Sequence, residues 1–542
     1  MGKWNRGKSK GVRGLRAGIA VMAAVCLLAE SAGCGAAEEG TAEAAAAQYQ
    51  NHLDISLAYW QIDSFLNKRG EDKVLEVLED KFNITIVPQN ITWDDYYNKI
   101  RLWAETGELP DLFVGANRQG EDFYQWISQG LLHEIPADLS DYPNLEEYLN
   151  NPEKESCMVD GKTYCIFRQT YSEQAETVKD RTIAYRWDLA QKAGIKEEPE
   201  NWDEFRAMIQ AIIEKDSEGT GIGGMTAKNY SMLMGILFTY SIPLASAGGS
   251  SYYWVPKGKD YYVPALFAGE KLGDDAVPTW VLARDMYTEG TIEQDIFLTT
   301  TAQAEEKFLM GRSAAFCFDG GISNTNFYEK IVQYWKQIHG REFLEDVKFL
   351  DLMPSVTGEV YYPIWGRAWS ESYINANVSE EKLERILALY DYMLSEEGML
   401  LTKFGIEGDT YRLDEEGDVV LLGEKAPSDV YPSIGMLASL VCWNYGNQDP
   451  SRFPNTVPEE YVRLDQERVE IARNCEIPRY NYEYTKKVSQ MEDYVMIDID
   501  NIFQRIVLGK EPVKRIWNKI IEEYKEMGLR KMIQKVNHQM AK

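Results

Sequence analysis

Between residues 53 and 114 the chain alternates strand and helix signatures, and that alternation restricts it to an α/β architecture. Residues 53–60, LDISLAYW, carry the alternating apolar pattern of a buried strand. Residues 68–82 then set Val74, Leu75, Val77, Leu78 and Phe82 at helical spacing. A second strand is expected at 83–87, a helix over 94–106 and a third strand at Leu112-Phe113-Val114. Strands separated by helices pair in parallel, and sheets of that kind bind ligands beyond the carboxyl ends of their strands. Here those ends are Trp60-Gln61-Ile62-Asp63 and Gly115-Ala116-Asn117-Arg118.

At 542 residues the chain is long enough for two lobes or more. Further helices are expected at 187–194, 202–215, 302–310, 380–397 and 512–537. Further strands are expected at 182–185, 314–318, 348–352 and 372–376. No internal repeat is visible.

The N-terminal region has a different character. Lys3, Arg6, Lys8, Lys10, Arg13 and Arg16 precede an apolar run from Ala17 to Ala29, which is too short to span a bilayer. Small residues at 31–33 then lead to Cys34. A basic leader, a short apolar segment and small residues before a cut describe a secretory signal peptide over 1–33. With Cys34 in place, the junction resembles the lipobox of bacterial lipoproteins. That resemblance implies a lipid such as palmitate on Cys34 and an extracytoplasmic protein anchored to the cell membrane. Residues 34–51 are Ala/Glu-rich and read as a tether.

The formal net charge is −29, and the leader contributes only basic residues and Glu30, so the remainder is more acidic still. Such a surface repels nucleic acid and anionic lipid, but not neutral ligands. Fourteen Trp and 33 Tyr offer flat apolar faces with a polar handle, suited to stacking on sugar rings. Five cysteines follow Cys34, an odd number that cannot form a fully paired framework. Around the turn Asp160-Gly161, a two-residue hairpin pairs Cys157 with Tyr164 and sends Cys165 to the opposite face, so a disulfide there needs a bulge or a longer loop.

Several segments resemble one family, the extracellular solute-binding proteins (family 1) that serve carbohydrate ABC importers. The first is Thr106-Gly107-Glu108-Leu109-Pro110-Asp111-Leu112-Phe113, where Gly107 ends a helix and Pro110 blocks its continuation. Gly130-Leu131-Leu132 with Ile135-Pro136, then Asp160-Gly161-Lys162-Thr163-Tyr164, match its next landmarks. Residues 182–189 resemble the first strand and helix of its second lobe, and residues 307–315 resemble a helix-to-strand corner there. Gly405-Ile406-Glu407-Gly408 with Tyr411, and Trp517 with Gly528-Leu529, resemble the large Firmicutes-type lipoproteins of this family. The resemblance implies a two-lobed periplasmic-binding-protein-like fold, with hinged lobes and a ligand cleft between them. Lobe one is expected over 52–170, with 356–405 returning to it, and lobe two over 171–355, with 406–542 mostly packing on it. Crossings between lobes are expected near 169–181, near 353–358 and just after 405.

Carbohydrate sites need stacking faces for rings and planar polar groups for hydroxyls. Three clusters supply both: Trp60-Gln61 with Asp63, then Trp365, Arg367 and Trp369, then Trp443-Asn444 with Tyr445 and Asn447. Asn117, Arg168 and Asp319 are further candidates, while Arg186, near the hinge, suits an ion pair. Arg168 or Arg367 facing the cleft would favour a uronic acid. For every aromatic here the plainer reading is core packing.

The resulting expectation is a monomeric, non-enzymatic lipoprotein that delivers an oligosaccharide to ABC importer permease subunits. A membrane-tethered glycan hydrolase is the alternative, because two acids suffice for that chemistry. So is a binding protein for a non-sugar solute such as a peptide or polyamine. No cofactor is expected. Some large family members carry a calcium loop where Asp216 and Glu218 lie here, but Thr220 and Ala227 stand where further ligands belong. The four histidines, at 52, 133, 339 and 538, match no zinc spacing, and no Gly-x-Ser-x-Gly elbow occurs beyond the basic leader.

Overall fold

The computed structural model describes residues 49–541, leaving out positions 94, 119, 217, 218, 220, 242–252, 365, 424, 443–456, 492 and 493. The expected signal peptide, Cys34 and most of the expected tether lie outside the described residues, as do Trp365, Trp443 and Asn444.

Two sheets organise the chain. The first contains β1 (Leu53–Trp60), β2 (Ile84–Ile91), β3 (Leu112–Gly115) and β4 (Ile166–Gln169). The second contains β5 (Arg181–Arg186), β6 (Gly223–Ala227), β7 (Ser313–Asp319) and β8 (Val347–Phe349). A ninth strand, β9 (Ala368–Ile374), returns to the first sheet, whose order is β2-β1-β3-β9-β4. The second sheet runs β8-β5-β7-β6. β1 is parallel to both β2 and β3, as the alternation requires, whereas β9 is antiparallel to β3 and β4.

Local chemistry sets these boundaries. Asp72 accepts the Leu75 N–H at 3.1 Å and so starts the helix Lys73–Phe82. The helix Tyr96–Thr106 ends where Gly107 adopts φ 75° and donates its N–H to the Trp103 carbonyl. The Asp111 carboxylate then accepts from the Ser56 amide and hydroxyl, both at 2.8 Å, and from Lys382 at 2.9 Å. That ties β3 to β1 and to the helix Glu380–Leu394.

Each sheet has its own core. Ile55, Leu57, Leu75, Leu78, Phe113 and Phe167 bury in the first, and Ile183, Phe205, Met225, Trp280 and Trp517 in the second. Helices from 459 onward that join a buried core pack on the second lobe. Residues 431–441 instead enter the first core through Tyr431, Ile434, Leu437 and Leu440. Asp72 accepts the Ser433 amide and hydroxyl, both at 2.9 Å, and Tyr59 is hydrogen-bonded to Ser439 at 2.5 Å. Gly435 permits this approach, since a Cβ there meets the Phe65 ring at 2.6 Å. The chain therefore stays with the first lobe past 405, and it reaches the second between Cys442 and Val457 rather than just after 405. The other two passages between the sheets are 170–180 and 350–367.

The Asp160-Gly161 hairpin pairs Met158 with Thr163, and Tyr164 donates to the Cys157 carbonyl at 3.0 Å. The strand breaks after Thr163, so alternation does not carry on to Cys165. Both cysteines are fully buried as free thiols. Among the described residues no helix is long and apolar enough to cross a membrane.

Candidate functional site

Register brings the site together. Trp60 ends β1 opposite Ile91, the last residue of β2, so Trp93 emerges beside it. At the same end of the sheet β9 begins with Ala368-Trp369, opposite Gln169 of β4. The indoles of Trp60 and Trp93 stack at 4.7 Å and 6°, and those of Trp60 and Trp369 at 5.5 Å and 23°. Were Trp60 sandwiched, the outer rings would stand about two stacking distances apart. They lie 6.1 Å apart, so Trp93 and Trp369 sit side by side against Trp60. Trp60 is 1% exposed, whereas Trp93 is 46% and Trp369 42% exposed. Trp60 is thus the buried base of a two-ring platform. Tyr96 meets Trp60 edge-on at 5.4 Å and packs on Tyr97.

The backbone around the platform is held in uncommon conformations. Gln61, directly after Trp60, has φ 55°, and Ser370, directly after Trp369, has φ 64°. Left-handed non-glycine residues are rare and need surrounding support. Gln61 obtains it from its amide bond to the Ile91 carbonyl at 2.6 Å. The Ser370 hydroxyl accepts from Arg168 Nε at 3.0 Å, and the Ser370 carbonyl accepts from Arg118 at 3.2 Å. Thr92 donates its amide and hydroxyl to Asp95, both at 2.7 Å, bracing the loop that carries Trp93. Those bonds hold the Asp95 carboxyl below its usual range.

Behind the platform lies a buried polar layer. Arg168 is fully buried, with its guanidinium 5.3 Å from the Trp60 ring centre. It also donates to the Glu371 carbonyl at 2.7 Å. Burial pushes its pKa below the usual arginine value. The Glu371 carboxylate accepts from the Asn117 amide at 2.6 Å, the Arg118 amide at 3.1 Å and the Tyr373 hydroxyl at 2.5 Å. Burial raises the Glu371 pKa, and Arg118 and Tyr373 only partly offset this. The Asn117 side chain is buried as well and donates to Asp122 at 2.9 Å.

The candidate residues accordingly take different places. Trp369 is exposed at the platform, and Gln61 and Asp63 are exposed in the turn and short helix that follow Trp60. Trp60 supports the platform from beneath. Arg168 and Asn117 lie beneath the surface, Arg168 through pairing of β4 with β9 and Asn117 in the turn after β3, so the condition that Arg168 faces the cleft is not met. Arg367 is partly buried beside Trp369 and pairs with Glu153 at 3.4 Å. Asp319 ends β7 of the second lobe and pairs with Lys228 at 3.0 Å. Burial raises its pKa, but Lys228 and Arg181 outweigh that and hold it below the usual value. Arg186 pairs with Asp188 at 2.8 Å. Asp216 accepts from the Gly221 and Ile222 amides, closing a glycine turn, while Glu218 and Thr220 lie outside the described residues. Among the described residues no group of three or more acids, His or Cys is placed to hold a metal ion.

The sequence pointed to Arg118 only as part of a strand end, and to Trp93, Tyr96 and Glu371 not at all. The missing signal for Trp93 was strand length: β2 runs on through Pro88 to Ile91. A proline is tolerated there because β2 is an edge strand.

Residues 73–403 match the family of bacterial extracellular solute-binding proteins. Lipoprotein LipO of Bacillus subtilis (strain 168) is 24% identical over 64% of this chain and 66% of its own. The polygalacturonan/rhamnogalacturonan-binding protein YtcQ of the same organism is 21% identical over 93% of this chain and 94% of its own. Among solved structures, the alginate-binding protein AlgQ2 superposes with a TM-score of 0.68 at 15% identity, covering 90% of this chain and 97% of that one. The S. pneumoniae ABC-transporter substrate-binding protein FusA, in complex with kestose, gives 0.64 at 16%, covering 91% and 99%. By its sequence match and its two-lobed fold, the chain belongs to the bacterial extracellular solute-binding proteins.

Proposed function

We propose that this protein is the substrate-binding lipoprotein of an ABC importer, which captures an oligosaccharide between its lobes and delivers it to membrane permease subunits. The observation that carries the reading is the Trp93–Trp369 platform on its buried Trp60 base, at the sheet end next to the passage 170–180. Indole faces of this kind stack on the apolar C–H faces of sugar rings. Gln61 and Asp63, exposed just after Trp60 in the chain, offer polar side chains as partners for hydroxyls. The sugar-binding names of YtcQ and FusA support the same reading. Trp60, Gln61, Asp63, Trp93 and Trp369 are the residues proposed to form the lobe-one wall. Trp365, Trp443 and Asn444 remain candidates from sequence, and Asp319 is the candidate from the second lobe. Capture is non-catalytic in this reading, and closure around the ligand is a hinge motion about the passages between the sheets.

The test is thermal unfolding of the purified protein with a panel of plant, host and microbial oligosaccharides. A ligand that binds only the folded state raises the midpoint by mass action. A clear rise with the sugar recovered intact supports the reading, whereas sugar recovered cleaved, or no rise with any sugar, overturns it. The lipid anchor is tested separately: Cys34→Ser is expected to move the protein from the membrane fraction to the medium, and unchanged membrane retention contradicts anchoring through Cys34.

A further inference from the structure

We infer that Arg118 is the positioning residue of the platform, aiming Trp369 through the two carbonyls that flank it. The inference rests on the oligosaccharide reading above and deepens it, because Arg118 then governs affinity by acting through Trp369 rather than on the sugar. It starts from a fault in strand alternation. In a regular strand Trp369 and Glu371 share one face. Here Trp369 is 42% exposed and Glu371 1% exposed. A β-bulge separates them: between the pairs Ala368–Gln169 and Glu371–Phe167, β9 sets Trp369 and Ser370 opposite Arg168 alone. Ser370 takes up the extra length at φ 64°, a conformation that persists only where its surroundings enforce it. Trp369 therefore points outward from a strand whose other residues are all buried.

A reciprocal clamp enforces it. The Glu371 carboxylate accepts the Asn117 and Arg118 amides, which folds the turn after β3 back over β9. Gly115 leaves room for that turn, since a Cβ there meets Asn117 Oδ1 at 2.8 Å. From the turn Arg118 reaches both sides of Trp369: Nη2 donates to the Ala368 carbonyl at 2.6 Å and Nη1 to the Ser370 carbonyl at 3.2 Å. The Trp369 amide itself donates to Thr170 Oγ1 at 3.2 Å. Arg168 holds the Ser370 hydroxyl from beneath, but its guanidinium also lies on Trp60, so it serves the core as well as the bulge. Arg118 meets the two carbonyls with two nitrogens of a rigid fork, where a lysine offers one nitrogen on a flexible stem. With one carbonyl released, Ser370 relaxes toward the common backbone regions and the Trp369 ring turns away from its 29° alignment with Trp93. A ring held in place before binding loses less freedom when the ligand arrives, so losing the clamp weakens binding.

The test is a double-mutant cycle on the full-length protein in detergent: wild type, Arg118→Lys, Trp369→Ala and the double variant. Each is titrated calorimetrically with the oligosaccharide that gives the largest thermal shift. Arg118→Lys keeps a cation beside Glu153 and Glu371, each 3.8 Å from Arg118, and removes the fork. It is expected to weaken binding about five-fold in the wild-type background and by less than about two-fold once Trp369 is absent. Circular dichroism of the ligand-free proteins reads the same effect without sugar: the exciton signal that Trp369→Ala removes from the stacked indoles is expected to fall in Arg118→Lys too. Unchanged affinity in Arg118→Lys, or equal weakening in both backgrounds, overturns the inference and leaves the oligosaccharide reading standing. Should Arg118→Lys not fold, Arg118→Gln takes its place, and failure of both to fold makes Arg118 a residue of the fold and overturns the inference as well. Absence of binding to the wild type, or full affinity in Trp369→Ala, overturns the platform reading and the inference with it.

Discussion

Trp60 and Trp369 belong to one stack but do different work, and substitution separates them. Trp60→Ala removes a fully buried indole that packs on Trp93, Trp369 and Tyr96, and a loss of about 3–5 kcal/mol in unfolding free energy is expected. Trp93→Ala and Trp369→Ala truncate half-exposed rings. Each is expected to leave the unfolding midpoint nearly unchanged and to weaken oligosaccharide binding about ten-fold, or ~1.4 kcal/mol. Denaturant titration and calorimetry together read out both effects. Lys403 gives a prediction in pH. Burial pushes its ammonium down to about 8 from the usual 10.5. Below pH 8 both folded and unfolded chains hold the proton, and folding carries the whole desolvation cost. Between pH 8 and 10.5 the folded chain releases it first, so stability rises with pH across that window. Lys403→Met is therefore expected to stabilise the protein at pH 7 by at most about 3 kcal/mol, with the gain vanishing toward pH 10.5 in urea titrations. At this scale the sequence disclosed residue types at strand ends but not their direction. Arg168 and Asn117 have the right chemistry for sugar contacts, yet pairing of β4 with β9 and the turn after β3 bury them.

Elements were legible wherever a local signal marked their ends. Gly107 closes its helix and Asp160-Gly161 makes its hairpin as their side-chain chemistry requires. Two long helical stretches divide instead. The helix Glu380–Leu394 gives way to Glu396–Phe404 at Ser395, whose hydroxyl accepts the Gly398 N–H at 3.1 Å. The helix Val513–Glu526 gives way to Leu529–Met540 at Gly528, with φ 107°. Apolar periodicity continues across both breaks, which is why spacing alone merges them. Ser395→Ala is expected to cost about 1 kcal/mol by removing the cap, and a cost within error of zero in denaturant titration contradicts this. The β2 strand shows the converse failure. Its pairing with β1 carries it past Pro88, and the extra length is what delivers Trp93 to the platform.

At the scale of the whole molecule, the two sheets and their separate cores followed from the order of strand and helix signatures. The path of the chain between them did not. Residues 431–441 stay with the first lobe because Asp72 and Tyr59 receive Ser433 and Ser439 across more than 350 positions of sequence, pairings that no local pattern encodes. The ion pairs behind the platform are equally a property of the assembled fold, since Arg118, Glu153, Arg367 and Glu371 come from three separated segments. The central claim is that an intact oligosaccharide is held on the platform made by Trp60, Trp93 and Trp369. Its most direct measurement is calorimetric titration of the wild-type protein and of Trp369→Ala with the oligosaccharide giving the largest thermal shift, followed by mass spectrometry of the sugar. The account predicts saturable one-to-one binding, about ten-fold weaker in the variant, with the sugar unchanged in mass. Equal affinity in the two proteins, or a shortened sugar, would contradict it.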